Sequence, residues 1–242
     1  MLFNLFSYSE SLFSLLSIAG MLSWESGNAF MASILWSLAS LCRSNGLIFI
    51  GFPIYAIYKA ALNNRFSAST VLSSLLQSVI IASGFAAFQY HAFVQFCTQG
   101  SQRPWCSNSI PLIYSFVQSH YWNNGFLKYF TVEQIPNFLL AAPMILISIA
   151  GISYYLISKG RSLLNDRLLP YYTMWSVLAF SCVTSFHVQI ITRFLSFLPP
   201  LYWTIAQFYS SFSPKWRFCL LFYIVCYQLI GSILFTLFYP PA

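Results

Sequence analysis

Charge is what this sequence has least of: Asp, Glu, Lys and Arg together make up 6% of its 242 residues. A soluble domain carries about a quarter. Only four residues are acidic, Glu10, Glu25, Glu133 and Asp166, against eleven Lys and Arg. Asp166 falls in a basic loop, Glu25 lies between short apolar stretches and Glu133 reads as surface, which leaves Glu10 as the single carboxylate placed for chemistry. The basic residues are scattered singly, so the net charge of +7 does not make a nucleic-acid patch. Positive residues spaced in this way mark one side of a membrane. The sequence also has no CxxC and no Cys/His zinc spacing, so no metal site is expected. It has no Asn-x-Ser/Thr to mark a glycosylated face, and residues 1–24 lack the basic start of a cleavable signal peptide.

What is present is apolar: 58% of the chain is hydrophobic. A domain of this size has too little interior to bury so much. The expected fold is therefore an all-α polytopic membrane protein. A helix needs roughly 20 apolar residues to cross the hydrocarbon core. Long uncharged stretches run over Phe66–Gln102, Gln134–Ser158, Leu168–Thr192, Phe194–Pro214 and Phe218–Ala242, with shorter ones over Ser11–Trp24, Ser26–Cys42 and Ser44–Tyr58. The total is about eight spans or half-spans. Residues 1–242 read as a single transmembrane region with one long polar loop over residues 91–135.

Sidedness follows from the basic residues. Lys59 with Arg65, Lys159 with Arg161 and Arg167, and Lys215 with Arg217 are separated by pairs of crossings, so all can be cytoplasmic. The loop 91–135 then faces the lumen, as do Tyr239-Pro240-Pro241. The same parity puts Glu10, Arg43, His187 and Arg193 at lumenal depth. Arg43 and Arg193 either snorkel to headgroups or line a cavity.

Each local motif admits two readings. Arg43-Ser44-Asn45-Gly46 is either a plain turn between spans or a helix break beside a cation that suits a phosphate. Along one helix, His187, Ile190, Ile191 and Phe194 would share a face, and Gln189 and Arg193 another. That polar pair can line a sugar or phosphate cavity, and His187 can equally be a satisfied core residue. The aromatic run Ile113–Phe130, laced with Gln, His and Asn, suits an interfacial helix or a carbohydrate surface. Glu10 can pair with an Arg or act as a base. Of the six cysteines, four lie in apolar stretches, while Cys97 and Cys106 flank a polar loop and can bridge if it meets an oxidising lumen.

Several strings go further than local chemistry. Tyr8-Ser9-Glu10-Ser11-Leu12-Phe13, Arg43-Ser44-Asn45-Gly46, Pro104-Trp105-Cys106, the Ile113–Phe130 run, Gln134-Ile135-Pro136-Asn137-Phe138-Leu139-Leu140-Ala141-Ala142-Pro143, His187-Val188-Gln189 and Thr192-Arg193-Phe194 occur in this order. Together they closely resemble the GPI mannosyltransferase 2 family, along nearly the whole chain.

The resemblance implies a GT-C-like helical bundle, here a partial one, in the endoplasmic-reticulum membrane with its active face lumenal. It implies an α-1,6-mannosyltransferase of GPI-anchor biosynthesis that adds the second mannose, moving it from dolichol-phosphate mannose to the GPI precursor glycolipid with inversion. No cofactor beyond the donor lipid is implied. The expected partners are those two lipids and the surrounding membrane lipids, with room for an accessory membrane subunit and none for nucleic acid. Glu10, Arg43, Asn45, His187, Gln189 and Arg193 are the expected substrate-binding residues.

The family pattern also places further spans and an acidic catalytic loop ahead of the Tyr-Ser-Glu string. The expected catalytic Asp has no counterpart here, so the chain reads as a truncated form, inactive alone. The alternative is an inactive fragment that still binds lipid or a partner. A transporter or channel would show inverted repeats, and none is seen.

Overall fold

A computed structural model describes residues 9–98 and 103–236. Tyr8, residues 99–102 and Tyr239-Pro240-Pro241 lie outside the described residues. Every element among the described residues is helical. In order these are α1 (Ser9–Glu25), α2 (Ala29–Cys42), α3 (Gly51–Leu62), α4 (Ala68–Cys97), α5 (Ile113–Phe116), α6 (Ile135–Lys159), α7 (Leu169–Thr184), α8 (Ile191–Leu195), α9 (Pro199–Ser211) and α10 (Pro214–Thr236).

The boundaries have local causes. Asn28 caps α2 by accepting the Met31 N–H, and Ser67 caps α4 by accepting the Thr70 N–H, each at 3.2 Å. Proline opens α6, α7 and α9 at the first or second helical position, where its missing N–H costs nothing. Gly160 closes α6 at φ +47°, a conformation that favours glycine.

Among the described residues three helical segments are long and apolar enough to cross a bilayer: Ser44–Leu62, Ala68–Cys97 and Val132–Asn165. At 1.5 Å per residue the 30 residues of α4 run about 45 Å, more than the hydrocarbon thickness. The stretch expected as a single span over Leu168–Thr192 is broken instead. α7 stops at Thr184, the chain bends, and a 3₁₀ turn over Val188–Ile190 precedes α8. Large apolar side chains face outward along the helices, among them Leu72, Val79, Leu139 and Ile157. Such a surface fits lipid tails and not water.

The chain falls into two compact units, Leu12–Gly125 and Met1–Ser11 with Phe126–Ala242. In the first unit α2 packs along α4 through small residues. A Cβ on Gly84 would lie 1.9 Å from the Ser37 carbonyl oxygen, so the two backbones touch only because Gly84 has no side chain. Ser40 Oγ donates to the Ile81 carbonyl (2.7 Å) and accepts the Phe85 N–H (3.2 Å), tying the two helices together. Beside them Trp36 stacks on Phe49 at 4.9 Å and meets Phe52 at 4.8 Å, and its indole N–H reaches the Ser17 carbonyl.

In the second unit Trp175 is fully buried and donates to Ser148 Oγ at 3.1 Å. Gly151 leaves room for Trp175 and Thr204 against α6. Tyr155 and Tyr172 stack at 3.8 Å near the α6–α7 turn. There Lys159 pairs with Asp166 at 2.8 Å, and Asp166 Oδ1 accepts the Leu168 N–H. Burial alone would raise the Asp166 carboxyl, but hydrogen bonds from Lys159, the Leu168 N–H and Tyr155, with the Lys159 charge, hold it below its ordinary value.

Candidate functional site

In the unit Leu12–Gly125 the first candidate is the break after α2. Arg43 leaves the helix with extended backbone (φ −152°), and Ser44 starts a 3₁₀ helix that runs into α3. The break is packed and not a loose turn. A Cβ on Gly46 would sit 2.6 Å from the Ser40 Cα, so this segment lies directly on the end of α2. The Arg43 guanidinium sits over the Phe13 ring, 5.8 Å from its centre. Asn45 is half-buried in the first 3₁₀ turn.

Ser44 donates to the Tyr114 hydroxyl at 2.7 Å. Tyr114 belongs to α5, whose N-cap position is Leu112, a residue with no side-chain oxygen to offer. The orphan amide of Tyr114 is satisfied by Gln89 Oε1 of α4, at 3.3 Å. The Tyr114 ring meets Phe85 edge-on at 5.5 Å.

Cys97 at the end of α4 is disulfide-bonded to Cys106, beside the buried Trp105. Of the two states the sequence left open for this pair, the structure shows the bridge. After α5 the backbone widens into a π-helical turn over Val117–Tyr121, a form frequent at functional positions. It stacks His120 on Phe116 at 4.9 Å and leaves Tyr121 and Trp122 exposed.

In the other unit Glu10 and Arg193 form an ion pair. Arg193 Nε donates to Glu10 Oε1 at 3.1 Å and Nη2 reaches the same oxygen. The carboxylate is 4% exposed and the guanidinium side chain 30%. Of the two roles open to Glu10, the pairing is the one observed. A buried carboxylate gripping a partly exposed guanidinium fixes where that cation points.

The bend after α7 separates residues expected on one helix. His187 carries extended backbone before the 3₁₀ turn, Gln189 is half-buried within that turn, and Arg193 lies in α8. Helical spacing therefore does not relate Gln189 to Arg193. His187 instead stacks on Tyr129 at 4.6 Å. Asn137 donates to the Tyr129 hydroxyl (2.9 Å) and to Gln134 Oε1 (2.6 Å). Burial pushes the Tyr129 phenol up, opposed by the Asn137 bond, so it keeps its proton at neutral pH. Nearby Leu127 adopts φ +57°, strained for a side chain of that size, and its N–H is held by the Thr184 carbonyl at 2.6 Å.

Motif reading of the residues did not single out Gln89, Tyr114, Tyr129 or Asn137 individually. Gln89 had a legible signal, a carboxamide in the middle of a membrane-length apolar helix. Tyr114, Tyr129 and Asn137 sat inside aromatic or amide-rich strings in which nothing local ranks one residue over its neighbours. Among the described residues no three His, Cys, Asp or Glu gather as a metal would need.

The chain matches the family model described as Mannosyltransferase (PIG-V) over residues 2–165 and 158–242. It is 33% identical over its whole length to GPI mannosyltransferase 2 of Yarrowia lipolytica, covering 63% of that protein. It is 37% identical to GPI mannosyltransferase 2 of Schizosaccharomyces pombe over 97% of this chain and 52% of the relative. Human GPI alpha-1,6-mannosyltransferase 2 is 33% identical over 87% of this chain and 53% of its own length. The chain thus spans 52–63% of the length of these relatives, and no solved structure matches it. An all-helical, lipid-facing fold and matches that run from end to end place this chain in the PIG-V mannosyltransferase family.

Proposed function

We propose that the protein carrying this chain adds the second mannose of the GPI anchor, in α-1,6 linkage, taking it from dolichol-phosphate mannose in the lumenal leaflet of the endoplasmic reticulum. The observation that carries this reading is the Glu10–Arg193 pair, set within a chain whose relatives are named for GPI mannosylation.

In such a transfer the acceptor hydroxyl oxygen attacks the anomeric carbon from the face opposite the phosphate. The bond from that carbon to the phosphate oxygen breaks, and the dolichyl phosphate leaves with the electron pair. The hydroxyl proton passes to a carboxylate base. Charge builds on the departing phosphate, so a fixed cation beside it lowers the barrier more than a mobile one. Arg193 has that fixity from Glu10. Arg43 has it from the packed break and Phe13. We assign each cation, within its own unit, as a candidate phosphate contact, with Asn45 beside Arg43, and His187 and Gln189 in the segment before Arg193, as candidate sugar or acceptor contacts. Because Glu10 is committed to Arg193, the base is a different carboxylate.

The Cys97–Cys106 bridge supports a lumenal setting for the end of α4, since disulfides persist in the secretory lumen and not in the cytosol. The cytoplasmic setting of the α6–α7 turn is supported by Lys159, Arg161 and Arg167.

The test is rescue of cells that lack GPI mannosyltransferase 2, with the coding sequence that contains this chain, read as GPI-anchored protein on the cell surface. Rescue is expected, and Arg193→Ala should cut it at least about tenfold, the effect of removing one transition-state contact. Full rescue by Arg193→Ala at equal protein level would remove Arg193 from the phosphate site.

A further inference from the structure

We propose that Gln89 and Tyr114 are positioning residues that fix the Arg43 break, so that the orientation of this cation toward a lipid phosphate is set from α4 through α5. The proposal rests on the reading of Arg43 as a phosphate contact. All the residues concerned belong to one compact unit, Leu12–Gly125.

Tyr114 is held at three points. Gln89 accepts its amide, Ser44 donates to its hydroxyl and Phe85 abuts its ring. Ser44 is covalently next to Arg43, so the Tyr114 hydroxyl is one bond removed from the residue whose backbone leaves the helix. Arg43 itself is tied by its own N–H to the Ala39 carbonyl, and its carbonyl accepts the Gly46 N–H, each at 2.9 Å. The Tyr114 latch adds a side-chain tie at Ser44 to these backbone bonds.

Gln89 does not repay its place through stability. Its side chain is buried, at 6% exposure. A backbone N–H can only donate, so the Tyr114 amide fixes which end of the carboxamide is oxygen. The Nε2 end then has no hydrogen-bond partner among the described residues. A buried donor left unmade costs about 1–3 kcal/mol, while one neutral bond returns about 0.5–1.5. An apolar side chain of the same length would remove that cost but leave the Tyr114 amide without this acceptor. What a glutamine supplies, and methionine cannot, is the acceptor that starts α5 at Tyr114 and aims its hydroxyl at Ser44.

The experiment places the 242-residue chain in phosphatidylcholine nanodiscs. It measures dolichyl phosphate binding together with amide hydrogen exchange at residues 43–46. Gln89→Met and Tyr114→Phe should each speed exchange at 43–46 and weaken binding by about 3- to 10-fold, the worth of one hydrogen bond. The melting temperature of Gln89→Met should change little, since the substitution removes one unmade donor, Gln89 Nε2, and creates another, the Tyr114 N–H. In an Arg43→Gln background, or in Arg43→Lys if the first is poorly folded, Tyr114→Phe should add no further loss of binding. Unchanged exchange at 43–46 overturns the proposal, as does a Tyr114→Phe loss that persists without Arg43. If the unaltered chain binds dolichyl phosphate no better than Arg43→Gln, the reading of Arg43 fails instead. The exchange result then still decides whether Gln89 and Tyr114 hold the break.

Discussion

Glu10 and Arg193 show how one ion pair can serve position more than stability. Removing two charges from water is expensive, and their attraction returns that cost only with good geometry. Here both guanidinium donors converge on a single carboxylate oxygen, and the Arg193 side chain keeps part of its surface. Arg193→Met should strip the buried carboxylate of this partner and cost about 2–4 kcal/mol, less than the about 3–5 of a fully buried pair. The double variant Glu10→Gln with Arg193→Met should recover much of that loss, as read by thermal melting in detergent. If the double variant is no better than Arg193→Met alone, the pair is not the source of the effect.

At the same scale, Asp166 ties stability to pH. Its folded carboxyl lies below its ordinary value, so the unfolded chain binds the proton more readily. The stabilisation is complete above the unfolded value of about 3.9 and is lost as acid carries pH down through the folded value. Asp166→Asn should make this acid limb shallower than that of the unaltered chain. A limb unchanged in Asp166→Asn would assign the acid sensitivity to another group.

Among the elements, the α2–α4 contact is the tightest. Gly84→Ala would force a Cβ into the Ser37 carbonyl and should cost about 1–3 kcal/mol, whereas Gly51→Ala meets nothing within 4 Å and should be neutral or slightly stabilising. Comparing the two melting temperatures checks this directly, and equal effects would mean the helices can move apart freely.

Long elements such as α4 and α6 were legible in the sequence because length and apolar composition suffice to specify a membrane-spanning helix. The bend after α7 was not. Thr184-Ser185-Phe186-His187 holds no proline or glycine, and the extended backbone at His187 is set by the stacked Tyr129 ring and by the 127–131 segment, contacts that no window of sequence contains. The candidate residues divide in the same way. Glu10 and Arg193 stood out because charge is so scarce here. Their pairing spans 183 positions and needed the fold to reveal it. Gln89 stood out by type as a carboxamide within an apolar helix, but its partner is the Tyr114 backbone amide, which residue type does not reveal.

Across the whole molecule, the outward apolar surface and the family match describe a membrane-embedded chain of the PIG-V mannosyltransferase family. Its scarce polar groups are spent on holding cations in place: Arg193 by Glu10, and Arg43 by the packed break with its Tyr114 latch. The most direct test of this account is mannosyl transfer itself. Microsomes that contain the protein would be given radiolabelled dolichol-phosphate mannose and a GPI precursor bearing one mannose. The account predicts a two-mannose product released by an α-1,6-specific mannosidase, and its loss in Arg193→Ala and Arg43→Gln. A labelled precursor that stays at one mannose, or a product with both cations removed, would contradict it.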